Sequence, residues 1–386
     1  IGTSIMVAQL FGAKEYEKLS LAVTTNLLTA LGLSVILTVL GEWCASPLLS
    51  LLNTPKDVFP QALIYVQIIF GGLVFTVFYN QISGLLRGMG NSKTPLYFLI
   101  FCSLVNLLLD YIFVKYFLWG ISGAAIATVV AQAISSVMCL FYIFRRVPIL
   151  NFTRHGPFFD YALFKKTLIL GIPSGIQQAS IAVGLLVMQA IINSFDTNVI
   201  SAFTASSRID MFAVMPLVAT GSALSVYAGQ NIGARQLSRV RQGYHTANFI
   251  IITISAVLAA IVVPARVGLL NLFVDGQINQ AVVNIGAQYL TILPLFYVLL
   301  GFTNSTYGIL NGAGDATFVM ISTVAMMGIR AIVAYILAFS CGFGYVGIWW
   351  SWPISWLFVL LMTLWRYHSG AWKQKLIIVS DKVSAA

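Results

Sequence analysis

Apolar residues in this chain come in long runs, each too long for the alternation of a half-buried strand and too uniform for the apolar stripe of a soluble helix. A helix that crosses a bilayer needs about 20 residues at 1.5 Å rise each. Ten runs meet that length, near residues 21–43, 59–84, 96–117, 121–144, 166–192, 199–228, 245–264, 282–309, 317–340 and 345–367. A transmembrane barrel would instead show short alternating segments. The pattern predicts an all-α polytopic membrane protein with ten complete helices and a helical stub over residues 1–10.

Composition agrees. Of 386 residues, 59% are hydrophobic and only 8% charged, against about 25% charged in a soluble domain. The net charge of +10 raises nucleic acid as a partner, but its distribution argues against one. With the segment before residue 21 placed in the cytoplasm, sixteen basic residues fall on that side: Lys14, Lys18, Arg87, Lys93, Arg145, Arg146, Arg154, Lys165, Lys166, Arg235, Arg239, Arg241, Arg366, Lys373, Lys375 and Lys382. Lys56, Lys115 and Arg266 fall opposite, and Arg208 and Arg330 lie within spans. Cytoplasmic loops of membrane proteins carry such a bias and meet anionic lipid. Membrane lipids are therefore expected partners, and nucleic acid is not.

Four cysteines (Cys44, Cys102, Cys139, Cys341) stand singly, in no metal spacing, and read as apolar packing. His155, His245 and His368 form no pair. With no phosphate loop, nucleophile constellation or metal motif, an enzyme is not expected.

The chain repeats itself. GTSIMVAQLFGAK (Gly2 to Lys14) returns as GSALSVYAGQNIGAR (Gly221 to Arg235), carrying Gln9, Gly12 and Ala13 to Gln230, Gly233 and Ala234 at an offset of 221. LRGMGNSKTP (Leu86 to Pro95) returns as LNGAGDAT (Leu310 to Thr317), pairing Gly88 with Gly312 and Gly90 with Gly314 at an offset of 224. The same offset pairs Tyr65 with Tyr289, Asn80 with Asn304, Gly120 with Gly344 and Gly123 with Gly347. Six crossings separate Gly12 from Gly233, so the copies are expected to run parallel, about an axis along the membrane normal. Residue 166 minus 221 gives −55, so about 55 residues, one to two helices, are expected before residue 1, with twelve helices in the intact protein. This divides the chain into an amino-terminal lobe over 1–144, a cytoplasmic linker over 145–165, a carboxy-terminal lobe over 166–368 and a cytoplasmic tail over 369–386. The glycines at 12, 88, 90, 233, 312 and 314 are expected at cytoplasmic turns, where positive φ and close approach favour Gly.

Asp110 is the outstanding residue, because an ionisable group inside a span costs at least about 2.5 kcal/mol. It lies seven residues below the outer end of its helix; Thr128 lies equally deep in the next helix, and Tyr65 in about the same layer. Asn106 is one turn deeper on the face of Asp110, and Gln132 matches its depth. Tyr65, Asn106, Asp110, Thr128 and Gln132 thus form a polar layer in the outer half of the amino-terminal lobe. Its oxygen donors suit Na⁺ or a proton better than a soft metal.

Two parallel six-helix repeats, the GAK and GAR turns, LRGMGNSKTP, NLLLDYIF (Asn106 to Phe113), GISGAAIAT (Gly120 to Thr128) and LGIPSGIQ (Leu170 to Gln177) resemble the multidrug and toxic compound extrusion (MATE) transporters over essentially the whole chain. The resemblance implies a cation or proton site using Asn106, Asp110, Thr128 and Tyr65, with a further Asp in the first helix, before residue 1; Gln132 is added from depth alone. It also implies a bacterial plasma-membrane antiporter that exports amphipathic, often cationic organic compounds against H⁺ or Na⁺ by alternating access, with no cofactor beyond that ion. A monomer is expected. The alternative is a flippase for lipid-linked oligosaccharide or lipid II in the same superfamily. A passive channel would need polar rings along a pore.

Some MATE members carry a Glu in the seventh helix, but here the stretch reads GIPSGIQQASIAVGL, and the repeat mate of Asp110 is Ala334. Coupling is therefore expected in the amino-terminal lobe alone. Arg208, Asp210 and Arg330, the mate of Asn106, need partners of their own. Tyr79, Asn80, Gln177, Gln178, Arg208, Met211, Met215, Tyr297 and Asn304 are candidates for a substrate cleft, where flat rings and adaptable Met suit varied organic cations.

Overall fold

The computed structural model describes residues 2–51, 54–147, 158–273 and 279–375, which form thirteen α-helices and no strand. Residues 148–157 of the expected linker, with Arg154 and His155, and residues 376–386 of the expected tail, with Lys382, lie outside the described residues. The chain divides into two compact units, Ile1–Leu168 and Ile169–Ala386. Unit 1 holds α1 (Gly2–Gly12), α2 (Tyr16–Leu51), α3 (Phe59–Gly71), α4 (Leu73–Gly88), α5 (Lys93–Tyr111), α6 (Gly120–Arg146) and the start of α7 (Tyr161–Ile192). Unit 2 holds the rest of α7, then α8 (Thr197–Gly233), α9 (Leu237–Asn271), α10 (Gln280–Leu295), α11 (Tyr297–Ala313), α12 (Ala316–Tyr335) and α13 (Tyr345–His368).

Eight helices, α5 and α12 counted with the π turns that extend them, are long and apolar enough to cross a membrane. The pairs α3–α4 and α10–α11, bent by 47° and 48°, pass the same length and composition test together; counted as one bent span each, they bring the number to the ten that the sequence predicts. Proline sits inside α2, α7, α8, α9, α10 and α13, which membrane helices tolerate because neighbours satisfy the freed backbone groups. Polar side chains start several helices. The Asp196 carboxylate accepts from Val199 N at 3.0 Å ahead of α8, the Asp160 carboxylate from Leu163 N at 2.8 Å ahead of α7, and Asn91 Oδ1 from Thr94 N at 3.1 Å ahead of α5.

The repeat is visible in the backbone. The bends fall at Gly72 and Phe296, and five-residue π turns follow α5 at Ile112–Tyr116 and α12 at Ile336–Ser340, all in the 224 register. Left-handed residues pair likewise: Gly90 with Gly314, Leu118 with Gly342, Gly120 with Gly344, and Lys14 with Arg235 at 221. Among the described residues, Gly370 is the one left-handed position without a mate. Of the expected roles of the turn glycines, positive φ is corrected at Gly12 and Gly233, and close approach holds at Gly88 and Gly312. Gly12 and Gly233 end their helices in ordinary conformation, and the left-handed residue comes two positions later, at Lys14 and Arg235. Gly88 and Gly312 are small because helices touch there: a Cβ would lie 2.7 Å from the Ser4 carbonyl oxygen in one and 2.6 Å from that of Ser225 in the other. Ser4 and Ser225 are themselves mates at 221.

The cores differ more. Unit 1 buries Met6, Val7 and Leu10 of α1 together with Leu19, Val23, Ile82, Leu85 and Leu86 of α2 and α4, the helices on which α1 packs. Unit 2 is built around rings: Phe203 stacks on Trp349 at 5.9 Å, and Tyr289 meets Trp349 edge-on at 5.1 Å.

Candidate functional site

In unit 1, α5 packs against α6, with Pro95 and Cys102 the buried residues of α5. On that contact, Asn106 Nδ2 donates to Thr128 Oγ1 at 3.4 Å, and the Thr128 hydroxyl donates to the Ala124 carbonyl at 3.0 Å. The helix-to-helix hydrogen bond is long, at the weak end of the range. Asp110 is one turn further along α5, half-buried, in the last turn before the π turn at Ile112–Tyr116. Its Oδ1 is buried without a hydrogen-bond partner among the described residues, as is Oε1 of Gln132, one turn along α6 from Thr128. Two free buried oxygens thus lie a turn away, on opposite sides, from the Asn106–Thr128 bond. Tyr65 is 40% exposed on α3. Its phenol makes no hydrogen bond to this group among the described residues. The π turn itself is common to both units, so it carries no separate signal for a site.

The cleft candidates scatter. Tyr79 is buried, and its hydroxyl donates to the Pro95 carbonyl at 3.1 Å, tying α4 to α5. Asn80 is exposed, and its amide donates to the Thr76 carbonyl at 2.9 Å; its mate Asn304 repeats the bond to Leu300 at 2.9 Å. On α7, Gln177 is buried and Gln178 exposed. Arg208, Met211 and Met215 of α8 are exposed. Tyr297 is fully buried inside unit 2, where its hydroxyl donates to Asp210 Oδ1 at 2.5 Å.

That contact belongs to a polar cluster that sequence reasoning missed. Asp210 comes from α8, Tyr289 from α10, Tyr297 from α11 and Arg330 from α12. Tyr289 and Tyr297 flank the α10–α11 bend at Phe296. The Tyr289 hydroxyl approaches the Asp210 carboxylate closely enough to interact, outside good hydrogen-bond geometry. Arg330 is buried beside them, with its Nε donating to Ser355 Oγ at 3.2 Å. One signal was available: Arg330 is the mate of Asn106, so a charge stands where the first unit has an amide.

The MatE family model matches residues 1–112 and 173–336. The chain belongs to the MatE family. As a MatE protein it is a multi-pass transporter of the plasma membrane, in keeping with its eight or more apolar spans. Among its relatives, the probable multidrug resistance protein YpnP of Bacillus subtilis is 31% identical over 373 residues, covering 96% of this chain and 82% of its own. The probable multidrug resistance protein NorM of Thermotoga maritima is 22% identical over 400 residues, covering 99% and 83%. In fold, the chain matches a MOP superfamily transporter from Pyrococcus furiosus with a TM-score of 0.90 at 24% identity, covering 96% of this chain and 83% of that one. An outward-facing multidrug resistance MATE family transporter matches at 0.89 and 24%, covering 97% and 84%. These relatives do not favour the flippase alternative.

Proposed function

We propose that this MatE transporter exports amphipathic, often cationic organic compounds in exchange for H⁺ or Na⁺, by alternating access, with Asp110 as the coupling carboxylate. The observation that carries the reading is the buried Oδ1 of Asp110, without a hydrogen-bond partner among the described residues. A buried acceptor left unmatched is costly, and in native proteins it calls for an explanation such as an ion. A proton or Na⁺ at this oxygen would supply the missing partner. Gln132 Oε1, one helical turn from Thr128 on the far side of the Asn106–Thr128 bond, stands apart from this oxygen, and Asn106 and Thr128 link the two helices between them. The drug substrates are inferred from relatives named for multidrug resistance. Buried Gln177 of α7 is assigned to substrate recognition, not to coupling.

The test is gradient-driven efflux of a fluorescent cationic dye from vesicles containing the protein. Asp110→Asn keeps the size and polarity of the side chain but cannot titrate or carry charge. The variant is expected to insert and bind dye yet to lose exchange against a proton or Na⁺ gradient. Efflux at the wild-type rate would reduce Asp110 to polar packing. Gln177→Ala should lower transport of some dyes and leave ion exchange intact; equal loss for every dye would show that coupling extends to unit 2.

A further inference from the structure

The repeat that relates the two units also gives the polar layer a counterpart. At the 224 offset, Tyr65, Asn106, Asp110, Thr128 and Gln132 become Tyr289, Arg330, Ala334, Trp352 and Trp356. The carboxylate is gone, and a guanidinium and two indoles stand where amides and a hydroxyl were. Where Asn106 reaches across to Thr128 in unit 1, Arg330 lies over the ring of Trp352, 3.9 Å from its centroid. Arg330 is 2% exposed. Its nearest partners are neutral: Ser355 Oγ at 3.2 Å and Met327 Sδ at 3.7 Å. A buried cation requires an anion; among the described residues Asp210 of α8, held by Tyr297 at 2.5 Å, is the carboxylate in the same buried cluster, beyond direct ion-pair contact with the guanidinium.

We propose that Arg330 is a tethered, non-exchangeable cation that fills the unit 2 equivalent of the cation site and balances Asp210, leaving ion exchange to unit 1. The parallel with unit 1 rests on the reading of Asp110, but the charge balance between Arg330 and Asp210 does not. A latent site follows from it. Without the guanidinium, Asp210 keeps the phenols of Tyr297 and Tyr289 beside it, an oxygen-only donor set of the kind that suits H⁺ or Na⁺.

The experiment measures the melting temperature of the detergent-purified protein while Na⁺ replaces choline at constant ionic strength, and again across pH. Every variant carries Asp110→Asn, so the proposed site in unit 1 contributes nothing. That background alone should show no Na⁺ response. Adding Arg330→Gln should create one, with the melting temperature rising about 2 °C per tenfold Na⁺ or rising as pH falls and a proton reaches the uncompensated carboxylate. Adding Asp210→Asn as well should remove the response and restore the melting temperature. If the Arg330→Gln protein does not fold but its Asp210→Asn partner rescues it, the charge balance stands. An Arg330→Gln protein that folds without responding to either ion overturns the proposal. So does failure of the Asp210→Asn rescue, which would mark Arg330 as packing for the Trp352 ring.

Discussion

Near Asn106 in unit 1 and near Arg330 in unit 2, equivalent stretches of backbone hold opposite chemistry. The first layer is half-buried, rich in neutral oxygen and leaves two acceptors free. The second is sealed, with Trp356 and Tyr289 almost fully buried and a guanidinium against an indole. A similar divergence recurs where α4 leads into α5 and α11 into α12. There Asn91 Nδ2 donates to the Tyr142 hydroxyl at 3.3 Å, while the mates Asp315 and Arg366 form an ion pair at 2.7 Å. Bends, π turns and left-handed residues survive the duplication because each is fixed by chain geometry that any side chain must respect. Side-chain pairs are free to change together, neutral for neutral or charge for charge, as long as each buried group keeps a partner.

The strongest way to break this contrast is to impose the second unit's chemistry on the first. Asn106→Arg would put a fixed cation one turn from Asp110. If the layers are equivalent, ion-driven dye efflux should fall to background, a loss of about 100-fold or more at a coupling cost near 3 kcal/mol, while dye binding survives. Efflux near the wild-type rate would show that the two layers are not equivalent.

The ion pair of unit 2 offers the next largest effect. Asp315 is 3% exposed, and Asp315→Ala would leave the Arg366 guanidinium without its carboxylate. The expected cost is about 3 kcal/mol of stability, against about 1–2 kcal/mol for Asn91→Ala, which removes neutral hydrogen bonds to the Tyr142 hydroxyl and to Thr94 at the start of α5. Denaturant unfolding in detergent, followed by tryptophan fluorescence, measures both. Equal costs would mean that the ion pair adds nothing beyond the bond it replaced.

Where only the backbone is shared, the units should respond alike. Gly88→Ala and Gly312→Ala each push a methyl against a carbonyl oxygen of the facing helix, at 2.7 and 2.6 Å. Each should cost about 1–3 kcal/mol. A large cost at one site with none at the other would locate the tight contact in a single unit.

The parts of this molecule legible in the sequence are those fixed by runs and registers. Ten apolar runs gave ten spans, with each bent pair counted as one, and glycines matched at 224 residues marked turns that do share a conformation, as at Gly90 and Gly314. The bends at Gly72 and Phe296 were hidden, because the apolar run continues across each and hydropathy does not sense direction. The left-handed residues at Lys14 and Arg235 were hidden by more familiar glycines two positions earlier. Asp110 was legible as a lone charge in a span. The partners of Asp210 were not: Tyr289 and Tyr297 follow it by 79 and 87 residues, and they approach it only because α10 and α11 pack on α8. Reading the whole polar layer across the repeat, not only Asn106 and Asp110, would have placed Trp352 and Trp356 opposite Thr128 and Gln132.

The smallest expected effect is the sharpest probe of how unit 1 holds its ion. Thr128→Ala removes a hydroxyl that accepts from Asn106 at 3.4 Å and leaves the carboxylate of Asp110 in place. A neutral hydrogen bond contributes about 0.5–1.5 kcal/mol net, and this one is long. Half-maximal exchange should therefore need about 2–10 times more ion, with the maximal rate little changed. Asp110→Asn removes the charge itself, so no rise in ion concentration should rescue it. The two variants separate a side chain that tunes affinity through the packing of α5 on α6 from the group on which coupling depends. If Thr128→Ala abolished exchange at every ion concentration, the hydroxyl would be as necessary as the carboxylate, and the Asn106–Thr128 bond would have to form part of the ion's own shell instead of setting the distance between α5 and α6.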